Sequence, residues 1–334
     1  MANLQSQFKQ FHDKIKLGTY DENSTLREKR DLLFSDLKNI LKDEKIPGTQ
    51  DALTFDTLDL GSYSMKTGIK PTKDDYDIDL GVIFNISNED YDSNQLKKLV
   101  FDGLNKQHNR TVEFNRPCIT VKYSTGYHVD LAIYSNNNGD PHIAWGKQHS
   151  TRSRCWWEAD PIGLKNWVNN VSNDQEHRRQ FRRVVRYLKK WKSVAFNGTG
   201  NSAPPSIGLT IQARRAFQFN SSNDLEPLIT IVRAIKSAFF QTVEPNSKSL
   251  VWSIDTQLPV RPYKNVYYKM TPAQQDVFYR KIDSLLEALI SARDEESEHE
   301  ASKIFIKIFG PDFPLVEDSL KTKTPPYVVT GNNA

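Results

Sequence analysis

The stretch Asp77-Ile78-Asp79-Leu80-Gly81-Val82-Ile83-Phe84 decides the fold predicted for this chain. Acidic and apolar residues alternate at its start, as they do along a β-strand, where successive side chains point to opposite faces. Asp77 and Asp79 should therefore share one face of a strand, while Ile78 and Leu80 point to the other face. Two carboxylates on one face can share a metal ion.

A third acid, Asp130, follows in Tyr127-His128-Val129-Asp130-Leu131-Ala132-Ile133. A carboxylate in an otherwise apolar strand is costly to bury without a cation. If this strand lies beside the first, the three acids converge, as two Mg²⁺ ions bound to a nucleoside triphosphate require. Taken singly, each motif also fits a solvated strand face or an outward residue on an edge strand.

Gly61-Ser62 stands at the end of the predicted strand Thr57-Leu58-Asp59-Leu60. Backbone N–H groups and a hydroxyl at such a turn can hold a triphosphate. Gly61, Ser62 and the three aspartates together predict a two-metal nucleotidyltransferase site.

The composition fits a globular protein with a substantial core. Among 334 residues, 37% are hydrophobic and 26% are charged. The two cysteines, Cys118 and Cys155, are too few for a disulfide framework and lack zinc-site spacing, so we expect thiols in a reducing compartment, the cytoplasm. We expect neither a membrane span nor a signal segment. A net charge of +4 is too weak to indicate nucleic-acid binding by itself, and we do not expect nucleic acid as a partner.

A basic segment runs from Arg178 to Lys192 and holds eight cations between apolar residues at helical spacing. We expect one face of this helix to pack inward and most of its arginines to be solvated. Lys189 or Lys190, near the end expected to face the cleft, is the candidate for a triphosphate contact.

The remaining pattern predicts two opening helices over residues 4–18 and 25–41, a helix over 94–107, and a hairpin over 117–134. From residue 163 onward it predicts mainly helices, including 207–217, 225–240 and a long helix over 272–309. We expect a flexible loop over 197–202. The predicted divisions are N-terminal helices with a catalytic core (1–160), a helical lobe (161–313) and a flexible C-terminal tail (314–334).

Several longer motifs resemble the bacterial cyclic-oligonucleotide synthases of anti-phage signalling systems, relatives of the animal cyclic GMP-AMP synthase and the oligoadenylate synthases. They are Gly61-Ser62-Tyr63-Ser64-Met65-Lys66-Thr67-Gly68-Ile69-Lys70-Pro71, Asp75-Tyr76-Asp77-Ile78-Asp79, Trp157-Glu158-Ala159-Asp160-Pro161, Arg186-Tyr187-Leu188-Lys189-Lys190-Trp191 and Pro204-Pro205-Ser206-Ile207-Gly208-Leu209-Thr210. The core motif, in which Gly61-Ser62 is followed by Asp77, Asp79 and Asp130, is shared by the whole polymerase-beta-like superfamily.

This resemblance implies that Gly61 and Ser62 hold the donor triphosphate. It implies that the three aspartates are catalytic and bind two Mg²⁺ ions, with Mn²⁺ as an alternative. Lys189 and Ser206 look like the family's phosphate-gripping pair, and Lys190 could exchange places with Lys189. The implied substrates are ATP, GTP or other ribonucleoside triphosphates.

The fold class we expect is α/β: a polymerase-beta-like mixed nucleotidyltransferase sheet fused to a helical lobe, with the active site in the cleft. The expected product is a cyclic di- or trinucleotide. Two alternatives remain open: transfer of a nucleotide to RNA or a small alcohol, and a non-catalytic nucleotide- or RNA-binding module. In related systems an accessory enzyme of ubiquitin-transfer ancestry joins the synthase's C-terminus to a target, and the tail could serve such an enzyme.

Overall fold

The computed structural model describes residues 2–18, 24–71, 76–106, 110–124, 126–150, 155–197, 202–244 and 248–318. The expected tip of the loop over 197–202 and the end of the predicted tail, residues 319–334, lie outside these ranges. Within them the structure has the mixed α/β architecture that the sequence predicts, with a mixed sheet and a largely helical second half.

Seven strands of the described residues form the main sheet. They are β1 (Phe55–Asp59), β2 (Tyr76–Phe84), β3 (Arg110–Phe114), β4 (Ile119–Tyr123), β5 (Tyr127–Asn137), β6 (Asp140–Trp145) and β7 (Cys155–Glu158). Their order is β1-β2-β5-β4-β3, and β6 extends from the far end of β5 to β7. The predicted hairpin is present as β4 and β5, whereas β3, β6 and β7 were not predicted.

The pairing of β2 with β5 decides where the acids lie. These two strands run parallel, with Asp79 opposite Asp130 and Ile78 opposite Val129. Because directly paired residues in a sheet share a face, the acids project to one side and the apolar residues to the other. Ile78 and Val129 are fully buried, which anchors this register in the core.

The first four helices are α1 (Gln5–Ile15), α2 (Ser24–Leu41), α3 (Gly61–Ser64) and α4 (Ser93–Asn105). Helices α2 and α4 contribute Leu33, Leu37 and Val100 to the core behind the sheet. The apolar side of α1 packs instead against the helical half of the chain, where Phe11 stacks on Tyr187 with ring centroids 5.4 Å apart. The division at residue 160 therefore stays a prediction, with α1 packed across it.

The second half contains α5 (Pro161–Asn169), α6 (Gln175–Ala195), α7 (Ser206–Ala216), α8 (Leu225–Ser237), β8 (Phe239–Val243), β9 (Leu250–Ile254), α9 (Pro272–Asp294) and α10 (Glu298–Phe309). Its core is continuous and is centred on α6, whose Val184, Val185 and Leu188 are buried.

Two predictions about this half were wrong. The single long helix over 272–309 is two helices, because Asp294 ends α9 and the Ser297 side chain caps α10 by accepting a hydrogen bond from the Glu300 N–H. The helix predicted to reach Phe240 ends at Ser237, and the next residues form the two-stranded hairpin of β8 and β9.

The first described residues of the predicted tail are held against α10. Val316 donates its N–H to Ser302 Oγ at 3.1 Å, and its carbonyl lies 2.6 Å from His299 Nδ1. Among the described helices, none is long and apolar enough to cross a membrane.

Candidate active site

Three carboxylates meet on one face of the sheet. One oxygen atom each from Asp77, Asp79 and Asp130 lies within 4.8 Å of the others. The parallel alignment of β2 and β5 produces this cluster, since it sets Asp79 directly beside Asp130. The structure thus brings together the three acids that the sequence singled out, and their catalytic role remains a prediction.

Gly61 is the residue that lets the chain pass this cluster. Its φ is +58°, a left-handed conformation that residues with a side chain adopt at a cost. A Cβ at this position would stand 1.8 Å from Asp79 Oδ2. The neighbouring Leu60 N–H donates to the Asp79 carbonyl at 3.1 Å. Glycine is therefore required both by the turn and by the approach of the backbone to the carboxylate.

The charge of the cluster suits a divalent cation. Burial and the adjacent charges of Asp77 and Asp130 raise the pKa of Asp79 to about 7, and the charge of Lys189 opposes this. Clustered carboxylates lose this repulsion when a hard cation with oxygen ligands binds them. The three aspartates therefore fit a divalent metal ion.

A cavity of about 440 Å³ opens beside these acids, between the sheet and the helical half. Its walls include Asp77 and Asp79 on one side, Gly61 and Ser62 on a second, and residues of α6 and α7 on the third. This volume falls in the range of small-molecule sites. Among the predicted site residues, Lys189 and Ser206 also line it.

Lys189 lies at the cavity wall, but its hydrogen bonds hold the loop that follows Ser62. Its Nζ donates to the Thr67 carbonyl and to Thr67 Oγ1, both at 3.0 Å. Burial, with Arg186 and Lys192 nearby, lowers the pKa of Lys189 to about 7. In this structure Lys189 is therefore a support of the loop as well as a lining residue.

Lys190, the alternative to Lys189, lies elsewhere. Consecutive residues of an α-helix are turned by about 100° from each other, so Lys190 leaves the cavity side of α6. Its Nζ pairs with Asp312 Oδ2 at 2.5 Å. Lys189 therefore lines the cavity and Lys190 does not, and a triphosphate contact of either lysine remains a prediction.

Lys192 was missed as a site residue and lines the cavity. Its Nζ donates to Ser206 Oγ at 2.8 Å, which joins α6 to the start of α7 at the cavity wall. Burial lowers the pKa of Lys192. The signal was present in the sequence, because residues three apart on a helix share a face and Lys192 follows Lys189 at that spacing.

The prediction that most arginines of α6 are solvated was wrong. Arg186 is only 8% exposed and donates through Nε to the Gly68 carbonyl at 3.0 Å and through a terminal nitrogen to the Lys66 carbonyl at 2.6 Å. Arg183 pairs with the fully buried Asp224 at 2.7 Å. Much of the basic face therefore neutralises buried groups and holds the loop over 66–68.

Two tyrosines near the acid cluster are core aromatic residues. Tyr63 is 6% exposed and Tyr134 is 5% exposed. Tyr76, at the start of β2, lines the cavity instead, and its ring is stacked on Tyr127 with centroids 4.9 Å apart.

Residues 57–134, which carry Gly61, Ser62 and all three acids, match the family described as "Cyclic GMP-AMP synthase DncV-like, nucleotidyltransferase domain". This segment is similar to the DncV-like nucleotidyltransferase domain family. It is 26% identical over 267 residues to a cyclic GMP-AMP synthase of Escherichia albertii. That alignment spans 77% of this chain and 55% of the relative, so the chain matches about half of the relative's length.

Solved structures of bacterial enzymes share the fold of this chain. The Vibrio cholerae cyclic AMP-GMP synthase DncV is similar with a TM-score of 0.69 and 18% identity, over 93% of this chain and 97% of that one. The Bradyrhizobium diazoefficiens CD-NTase CdnG, in complex with GTP, is similar with a TM-score of 0.71 and 15% identity, over 92% and 96% of the two chains. At these identities the similarity establishes the fold.

Proposed function

We propose that this protein is a metal-dependent nucleotidyltransferase that joins ribonucleoside triphosphates into a cyclic di- or trinucleotide and releases pyrophosphate. The observation that carries the proposal is the convergence of Asp77, Asp79 and Asp130 beside a cavity that also presents Ser62, Lys192 and Ser206. The similarity to a cyclic GMP-AMP synthase supports the choice of product class.

The donor triphosphate would lie along the cavity walls that face each other across the acids. Gly61 and Ser62 supply backbone and hydroxyl donors from the sheet side. Lys192, fixed by Ser206 at 2.8 Å, supplies a positive charge from the helical side. Lys189 would act mainly by holding Thr67 and, through it, the shape of the loop that begins at Gly61.

The three aspartates would bind the metal ions and accept the proton of the acceptor hydroxyl. Asp77 and Asp79, which line the cavity, would hold two Mg²⁺ ions together with Asp130. Bound metal would supply neutralisation of the phosphate charge and activation of the acceptor hydroxyl. We assign Asp130 to the acceptor side, where a carboxylate oxygen can take the proton that the attacking ribose hydroxyl loses.

Transfer to RNA, one of the alternatives, has less support in this structure than in the sequence. It requires a band of available cations near the cleft. Along α6, Arg183 is instead paired with Asp224, Arg186 with loop carbonyls and Lys190 with Asp312. A non-catalytic module is disfavoured because all three acids are present and clustered.

Product analysis tests this proposal directly. The protein is incubated with the four ribonucleoside triphosphates and Mg²⁺, the mixture is treated with phosphatase, and phosphatase-resistant products are identified by mass spectrometry. A cyclic product has no terminal phosphate and survives the phosphatase. A variant carrying Asp77→Asn and Asp79→Asn is the matched control and should yield none. A linear product, or product formation by the control variant, would contradict the proposal.

A role in anti-phage defence, with an accessory enzyme of ubiquitin-transfer ancestry acting on the C-terminal tail, belongs to the same proposal. It rests on the resemblance of the motifs. Residues 331–334, the end of that tail, lie outside the described ranges. Deleting them should leave purified synthase activity unchanged and remove any covalent adduct formed in cells that contain the partner. An adduct on the shortened protein would rule this out.

A further inference from the structure

A series of three side chains, Thr120, Asn115 and Lys97, supports the Asp130 carboxylate. Thr120, which lies directly opposite Asp130 in the β4–β5 pair, donates its hydroxyl hydrogen to Asp130 Oδ1. Thr120 is 7% exposed, so solvent has little access to its side of this bond. The Asp130 carboxylate cannot rotate without losing it.

The direction of the Thr120 hydroxyl is itself fixed. Asn115 Nδ2 donates to Thr120 Oγ1 at 2.9 Å. The Cys118 Sγ lies 3.7 Å from the same oxygen. A hydroxyl has one hydrogen to donate. Asn115 donates to the Thr120 oxygen, and Thr120 directs its own hydrogen to Asp130.

Asn115 stands in a turn that a buried lysine immobilises. Lys97, on α4, is 1% exposed, and its Nζ donates to the carbonyls of Asn115 at 2.5 Å, Arg116 at 3.0 Å and Gly146 at 3.1 Å. An ammonium group has three hydrogens, and these bonds use all of them. This cation thus joins the turn before β4 to the end of β6 and has no hydrogen left for chemistry.

We propose that Asn115 and Thr120 are positioning residues that orient the Asp130 carboxylate for metal binding, and that Lys97 fixes the turn from which Asn115 reaches. This inference rests on the proposed function, because it assigns Asp130 to the metal site. Side chains that orient a metal ligand commonly change metal affinity or activity by about 10–100-fold when they are removed.

Thr120→Val is the decisive variant, since it removes the hydroxyl and keeps a β-branched side chain of similar size in the strand. We expect it to weaken Mn²⁺ binding about 10–100-fold. Binding is measured from the paramagnetic resonance signal of free Mn²⁺, with a non-hydrolysable triphosphate present. Turnover should fall to a similar extent. The KM for the triphosphate should stay close to that of the parent, because Thr120 does not line the cavity.

Two further variants separate positioning from a general loss of structure. Thr120→Ser keeps the hydroxyl and should recover most of the Mn²⁺ affinity. Thr111→Val, at an exposed position on β3, is the matched control and should bind Mn²⁺ like the parent. Asn115→Ala should cause a smaller loss, and combining it with Thr120→Val should add nothing, because Asn115 acts through Thr120.

The outcomes distinguish this inference from the proposed function. Unchanged Mn²⁺ affinity in Thr120→Val, or additive losses in the double variant, would overturn the positioning role even if the parent makes a cyclic product. A parent that binds Mn²⁺ but makes no cyclic product would contradict the proposed function, and the affinity series would still decide the role of Thr120. If Thr120→Val does not fold, Asn115→Ala and Thr120→Ser give the same comparison, and parental affinity in Asn115→Ala overturns the inference.

Discussion

Replacing Gly61 with alanine should disable the acid cluster far more than it destabilises the fold. The added Cβ would lie 1.8 Å from Asp79 Oδ2, about 1.2 Å short of the 3.0 Å that real Cβ contacts respect. The carboxylate or the turn must therefore move by roughly 1 Å. A displacement of that size at a reacting centre costs on the order of 10²-fold in rate.

The cost in stability is smaller. At φ +58°, alanine in place of glycine costs roughly 1–2 kcal/mol from the left-handed conformation alone. Two other glycines separate this strain from the clash. Gly48 and Gly139 have φ of +76° and +86°, and nothing lies within 4 Å of a Cβ built on either of them. Their alanine variants carry the backbone strain without the contact.

The assay is pyrophosphate release from ribonucleoside triphosphates with Mg²⁺, alongside thermal unfolding of each variant. We expect Gly48→Ala and Gly139→Ala to lose stability and keep the parental rate, and Gly61→Ala to lose both. A folded Gly61→Ala protein that releases pyrophosphate at the parental rate would refute the assignment of this contact. A matching loss of rate in Gly48→Ala would show that backbone strain, not the displaced carboxylate, is responsible.

Three further predictions concern charge. Burial and neighbouring acids raise the pKa of Asp79 to about 7 in the folded protein, so ionising Asp79 opposes folding and the stability should fall as the pH rises from about 4 to about 7. Without metal, Asp79→Asn should recover at most about 4 kcal/mol of stability at pH 8 and little at pH 4. Thermal unfolding in EDTA measures both effects. In steady-state kinetics, Lys192→Met should raise the KM for the donor triphosphate about tenfold, while Lys190→Met leaves this KM unchanged. A raised KM in Lys190→Met with a parental KM in Lys192→Met would place the phosphates on the other side of α6. Arg183→Met should lower the stability by about 3–5 kcal/mol because it leaves the fully buried Asp224 without its cation. Adding Asp224→Asn to Arg183→Met should recover part of that loss. Equal urea midpoints for the single and the double variant would contradict this.

The acids could be placed from the sequence because their positions depend on local alternation. Asp77 and Asp79 are two residues apart in a strand, and Asp130 lies between two apolar residues, so strand geometry fixes which way each side chain points. Only the neighbour relation of β2 and β5 had to be assumed, and the structure confirms that they are adjacent.

The helical wall of the site could not be placed as well. Basic residues occur on several faces of α6, and the sequence does not show which carbonyls or acids each of them contacts. Arg186 is buried because Lys66 and Gly68 present carbonyls to it, a contact between residues about 120 positions apart. The choice between Lys189 and Lys190 stayed open for the same reason, since Lys190 pairs with Asp312, which is equally remote in sequence.

The alignment of β2 with β5 also limits how this protein can change. The pairing that sets Asp79 beside Asp130 is the one that buries Ile78 and Val129. Removing one residue from β5 upstream of the acid would turn Asp130 toward the apolar side and an apolar residue toward the cavity. Insertions and deletions should therefore be tolerated in the connecting loops and excluded from these two strands, whatever nucleotide the cavity selects. New substrate preferences would have to arise by substitution around a fixed frame of acids.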